Sequence, residues 1–111
     1  MTLKEIIEKC SILSIHDKRI ITDEYNEIVF YNKDIDEWNK LFTVVLGPAI
    51  KPAGEEPTKF DLQLTKDYGG IYSNQTLFKK KFDDYTVIVM FWPWQDDIHT
   101  TLKIIRIRTK I

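Results

Sequence analysis

Leu3, Ile6, Ile7, Cys10 and Leu13 recur at helical spacing on one face, while Lys4, Glu5, Glu8 and Lys9 occupy the other. Thr2 and Glu5 stand three residues apart, the spacing of a capping box, so the pattern predicts a helix that starts at Thr2 and lies over a core. Residues 19–22 and 27–31 then turn β-branched and aromatic around the polar stretch Asp23, Glu24, Tyr25 and Asn26, which reads as a hairpin. Asp34 and Glu37 repeat the capping-box spacing. Behind them Ile35, Trp38, Leu41, Phe42 and Val45 return to a helical period that stops at Gly47-Pro48.

Residues 47–57 carry three of the four prolines and two of the four glycines, a loop packed across the body rather than a linker between domains. Residues 58–68 send two signals. Thr58 with Asp61 and the stop at Gly69-Gly70 favour a short helix, whereas Phe60, Leu62 and Leu64 alternate as in a strand; the helix is preferred.

Residues 75–82, 85–92 and 98–108 read as three strands joined by Asp83-Asp84 and by residues 93–97, an antiparallel meander. A two-residue turn sets Phe82 opposite Tyr85, which places Phe78 beside Val89 and Thr76 beside Phe91 on one face, and Leu77 beside Met90 on the other. Carried through the next loop, the same count brings His99 to the side of Phe91, and Leu102 and Ile104 to the side of Ile88 and Met90.

Residues 85–92 do not alternate, so their strand needs cover on both faces. With two or three helices packed on one face, the other needs a shield: a curled sheet, a second copy of the chain, or a pocket holding a small apolar or aromatic ligand. The expectation is one α+β domain over residues 1–111, its mainly antiparallel sheet made of an N-terminal hairpin and a C-terminal meander. A homodimer is the expected partner state.

Composition narrows the function more than it names one. A formal charge of −1 argues against a nucleic-acid binder. Lys79, Lys80 and Lys81, with Lys103, Arg106, Arg108 and Lys110, point to alternate sides of their strands, and an outer row of lysines is ordinary protection against edge pairing. The lone Cys10 allows no internal disulfide and no cysteine metal cluster, which fits a reducing, cytoplasmic setting. No secretory leader is read at the N-terminus and no apolar run approaches the roughly 20 residues that span a bilayer, so no membrane partner is expected.

The richest string is Phe91-Trp92-Pro93-Trp94-Gln95-Asp96-Asp97-Ile98-His99, which gathers two indoles, an amide, two carboxylates and an imidazole about one turn. Trp92, Trp94, Gln95 and His99, with Tyr72 and Lys51 from earlier loops, are the candidate binding residues. Strand alternation favours Asp97 over Asp96 as the carboxylate beside His99, and that pair is the candidate for acid–base catalysis. No nucleophile elbow is present, the two histidines have no recurrent ligand spacing, and no glycine-rich turn leads into a helix; no metal, phosphate site or cofactor is expected. The first expectation is a noncatalytic binding or interaction domain, and a small enzyme using His99 with Asp97 is the alternative.

Overall fold

The computed structural model describes residues 2–108. Helix α1 (Leu3–Cys10) opens on the expected capping box, with the Thr2 hydroxyl accepting from Glu5 N–H and the Glu5 carboxylate accepting from Thr2 N–H. Strands β1 (Asp17–Ile21) and β2 (Tyr25–Tyr31) form the hairpin. Its turn is shorter than the polar stretch suggested: the Thr22 hydroxyl accepts from Glu24 and Tyr25 N–H, so Tyr25 and the fully buried Asn26 already belong to the strand.

Helix α2 (Ile35–Leu46) begins without the capping box expected from Asp34 and Glu37. A single 3-10 turn, Asn32–Asp34, feeds directly into it, and Asp34 sits at ψ 7°, away from the extended backbone from which a cap side chain reaches forward. Helix α3 (Lys59–Thr65) takes the helical option, fixed by a complete box in which Thr58 and Asp61 exchange hydrogen bonds. Strands β3 (Thr76–Lys81), β4 (Tyr85–Pro93) and β5 (His99–Arg108) form the meander.

All pairings are antiparallel, in the order β1-β2-β5-β4-β3. β5 is therefore central, and β4 is flanked on both sides. The β3–β4 register agrees with the two-residue turn: Thr76 faces Phe91, Leu77 faces Met90 and Phe78 faces Val89. Between β4 and β5 it differs by three positions, for Phe91 faces Leu102 rather than His99, and Val89 faces Ile104. β4 runs on through Pro93, opposite Thr100, and a shift by an odd number of residues exchanges the faces of every side chain in the partner strand. Leu102 and Ile104 thus join Val89 and Phe91, and His99 leaves that side.

Two of the helices share a face. Leu3 and Ile6 of α1 and Trp38 and Phe42 of α2 pack with Phe30 and Phe91 in the main core. Trp38 stacks on Phe30 with ring centroids 4.9 Å apart. The third helix lies across the sheet from them: Leu64 of α3 and Tyr68, in the 3-10 turn Lys66–Tyr68 that follows it, pack on a second cluster of Ile71, Leu77, Ile88, Met90 and Ile105. The strand from Val87 to Phe91 is buried throughout, and much of its second cover comes from the chain itself. Among the described residues no helix is long and apolar enough to cross a membrane.

Candidate functional site

Beyond the reach of α3, the second face of the sheet carries a different set of side chains, rings and cations from β1, β2, β5 and the β4–β5 loop. The loop is Trp94-Gln95-Asp96-Asp97-Ile98, closed by Trp94 N–H donating to the His99 carbonyl at 2.9 Å. Asp97 takes φ 58°, a left-handed conformation that aspartate tolerates better than most residues. Asp96 turns back on the chain: its Oδ1 accepts from Ile98 N–H at 2.8 Å and His99 N–H at 3.0 Å, and its Oδ2 meets His99 Nδ1 at 2.6 Å. The carboxylate beside His99 is therefore Asp96, not Asp97. Strand alternation does not apply inside a turn, where an Asx-type return brings a residue three positions back onto the ring.

The His99 hydrogen bond, followed by the two backbone N–H groups, holds the Asp96 carboxyl well below its usual range, at about 2. An ionised carboxylate only accepts, so His99 carries its proton on Nδ1 and leaves Nε2 for other partners. Around this ring the others gather. Trp94 lies 4.8 Å from it by ring centroids and donates Nε1–H to Thr101 Oγ1 at 2.7 Å. Tyr31, paired with His99 across β2 and β5, lies at 5.3 Å, and His16 at 4.7 Å. The Tyr31 hydroxyl and His16 Nδ1 share a 2.7 Å hydrogen bond.

Cations end the row. The β1 register shifts between Lys18 and Ile20, and the extra residue, Arg19, holds its guanidinium carbon 5.1 Å from the Trp94 ring. Asp17 is its loose partner at 3.6 Å. At the far end Lys33 Nζ lies 5.7 Å from the Tyr31 ring. The result is a ladder of Arg19, Trp94, His99, His16, Tyr31 and Lys33, in which the indole, phenol and His99 rings are half-buried and the rest exposed.

The remaining candidates fall elsewhere. Trp92 faces the α3 side, with Lys103 Nζ 3.3 Å from its ring centroid and Gly69 against its edge. Lys103 donates to the Tyr68 carbonyl at 3.1 Å and is lowered by burial, so it belongs to no basic edge; Lys110 lies outside the described residues. Lys51 is 1% exposed, and its ammonium donates to the carbonyls of Pro52 and Ser73 at 2.9 and 3.0 Å and to that of Gln75. It clips the proline-rich loop to the segment before β3 and borders no ring cluster. Tyr72 is exposed in the neighbouring turn, where its N–H donates to Gln75 Oε1, and Gln95 is exposed at the loop tip. Neither stacks on nor hydrogen-bonds to the ladder among the described residues.

His16, Arg19, Tyr31 and Lys33 are the members that sequence reasoning missed. Tyr31 meets His99 only because β2 pairs with β5, and Arg19 reaches Trp94 through a bulge, so neither spacing nor alternation marks them. A groove of about 230 Å³ lined by Tyr31, Asn32, Lys33, Asp97 and Ile98 borders the ladder. Two larger grooves, about 350 and 360 Å³, flank α1 with mainly aliphatic walls, Ile12 and Val44 in one and Ile7 and Ile21 in the other. Among the described residues no three His, Cys, Asp or Glu side chains converge as metal ligands.

No family model matches the chain, and neither a curated protein nor a solved structure does. The ladder's own geometry is left to carry the functional argument.

Proposed function

We propose that this protein is a noncatalytic binding domain that takes a flat aromatic ligand with an anionic substituent on the Arg19–Trp94–His99–His16–Tyr31–Lys33 ladder. The observation that carries the reading is the way these rings are held. Trp94 is tied to Thr101, His99 to Asp96 and His16 to Tyr31, yet Trp94, His99 and Tyr31 are only half-buried and His16 is exposed. Rings ordered before binding lose little further conformational freedom when a ligand arrives. Arg19 and Lys33 at the two ends favour a carboxylate on that ligand.

A titration of the protein with indole-3-acetate followed by NMR tests this. Saturable shifts at the Trp94 indole N–H and the His99 and His16 ring protons are the expected result. Shifts confined to the grooves beside α1, or none up to millimolar probe, overturn it.

The second reading, acid–base catalysis, is favoured by the 2.6 Å Asp96–His99 contact, which would orient His99 Nε2 as a proton acceptor. Its pair is His99 with Asp96 in place of Asp97. The shallow neighbouring groove offers little exclusion of water, which is why binding ranks first. A homodimer would need an uncovered apolar face, whereas Leu64, Tyr68 and Ile71 lie over Ile88 and Met90, and we take the single chain as the binding unit. Light scattering at high concentration tests it, a monomer being expected. A cytoplasmic setting belongs to the same reading, supported by the lone Cys10, whose buried thiol is pushed up to about 12.

A further inference from the structure

We infer that His16 and His99 together form an open site for one borderline divalent cation of the zinc, nickel and copper class. The inference rests on the ladder reading for its place on the molecule and adds the chemistry of the ligand there.

Each imidazole has one nitrogen engaged and one to spare. His99 Nδ1 is held by the Asp96 carboxylate at 2.6 Å, and His16 Nδ1 by the Tyr31 hydroxyl at 2.7 Å. A metal-binding histidine is commonly arranged this way, because a polar partner on one nitrogen sets the tautomer and ring direction and raises the basicity of the other. The His16 tautomer in which Nδ1–H donates to the Tyr31 oxygen, the one an ion on the other nitrogen selects, presents Nε2 as an acceptor, as His99 does.

The ring spacing suits a shared ion. With metal–nitrogen bonds of about 2.0–2.1 Å and a ligand–metal–ligand angle of about 90–110°, two imidazole centroids come to lie roughly 4.6–5.3 Å apart. The His16 and His99 centroids are 4.7 Å apart, with their planes tilted by 46°. Two neutral nitrogen donors favour borderline ions over magnesium or calcium, which seek oxygen.

No third protein ligand converges among the described residues, so the other coordination positions belong to water or to a ligand's carboxylate. His16 is exposed and His99 19% exposed, which leaves an ion free to enter and exchange. In this arrangement the metal would fasten the anionic end of a ligand whose flat body rests on Trp94 or Tyr31.

The test uses the chelator-treated chain of residues 1–111, zinc chloride alone in a non-coordinating buffer, and long-range proton–nitrogen spectra of the two rings. One zinc per chain should shift Nε2 of both histidines while Nδ1 stays protonated, and magnesium should shift neither. His16→Gln and His99→Gln should each weaken binding at least tenfold, and Asp96→Asn, which alters the partner of a ligand and keeps an oxygen for the loop's N–H groups, by about 10- to 100-fold. A response at one histidine alone, or an affinity that either glutamine variant leaves unchanged, means an adventitious ion only and overturns the inference. The wild-type spectra decide the first point even if a variant folds poorly. Because indole-3-acetate is titrated into metal-free protein, a Trp94 response without a zinc response sinks this inference alone, and the reverse sinks only the aromatic-ligand reading.

Discussion

The Asp96 carboxylate and the His99 ring meet at 2.6 Å, and the same carboxylate also accepts the backbone N–H groups of Ile98 and His99. One side chain thereby shapes the β4–β5 loop and aims the imidazole at the centre of the ladder. The pairing has a consequence for acid stability.

Asp96 is lowered to about 2 in the folded chain, against an ordinary value of 3.8. A carboxyl depressed by folding contributes stability that is fully present above its unfolded value and is lost as pH falls through the folded one. Urea midpoints of wild type and Asp96→Asn should therefore differ most above about pH 4 and converge between about pH 4 and 2. A difference that stays constant from pH 7 to pH 2 would show that the ionised pair adds nothing.

Trp94 and Trp38 are both indoles in contact with other rings, but Trp38 is fully buried between Phe30 and Phe42 whereas Trp94 is half-buried. Trp38→Ala should cost about 3–5 kcal/mol. Trp94→Ala should cost about 1–2 kcal/mol and abolish the indole-3-acetate shifts. Equal losses in thermal melts would make Trp94 a core residue.

Gly69 and Gly54 have nearly the same φ, 98° and 94°, and differ in their surroundings. A Cβ on Gly69 would come within 2.9 Å of Trp92 Cζ2, whereas one on Gly54 meets nothing within 4 Å. Gly54→Ala should cost about 1–2 kcal/mol from backbone strain alone. Gly69→Ala should cost at least about 1 kcal/mol more, because Trp92 has to move. Similar chemical-denaturation midpoints for the two would refute this packing of Trp92.

Lys51→Met keeps most of the side-chain volume and leaves the Pro52, Ser73 and Gln75 carbonyls without their shared donor. A loss of about 2–4 kcal/mol is expected, with indole-3-acetate binding unchanged at temperatures where the variant is folded. A variant that melts like wild type but no longer binds the probe would return Lys51 to the site.

Local rules carried the reading of this chain wherever structure depends on neighbours in sequence. The capping boxes at Thr2 and Thr58, the apolar stripe through Trp38 and Phe42 and the tight turn between Phe82 and Tyr85 follow from spacing alone, because each contact spans two to four residues. The unbroken apolar run through Val87 and Phe91 likewise announced a strand covered on both faces. The Asp34 box failed for a local reason too, since the 3-10 turn before it had already spent the extended backbone that a cap requires.

What covers that strand, and what stands beside His99, were decided at longer range. Helix α3 crosses to the second face through a loop whose path is held by the buried Lys51 clip, and no periodicity within Lys59–Thr65 says which side of a sheet it will meet. The ladder depends on β2 pairing with β5 in one register, on one extra residue in β1 and on a single left-handed aspartate at position 97. In a sheet, a one-residue change in any of these turns a side chain to the opposite face, so composition and spacing name the rings while only the assembled strands decide which of them touch.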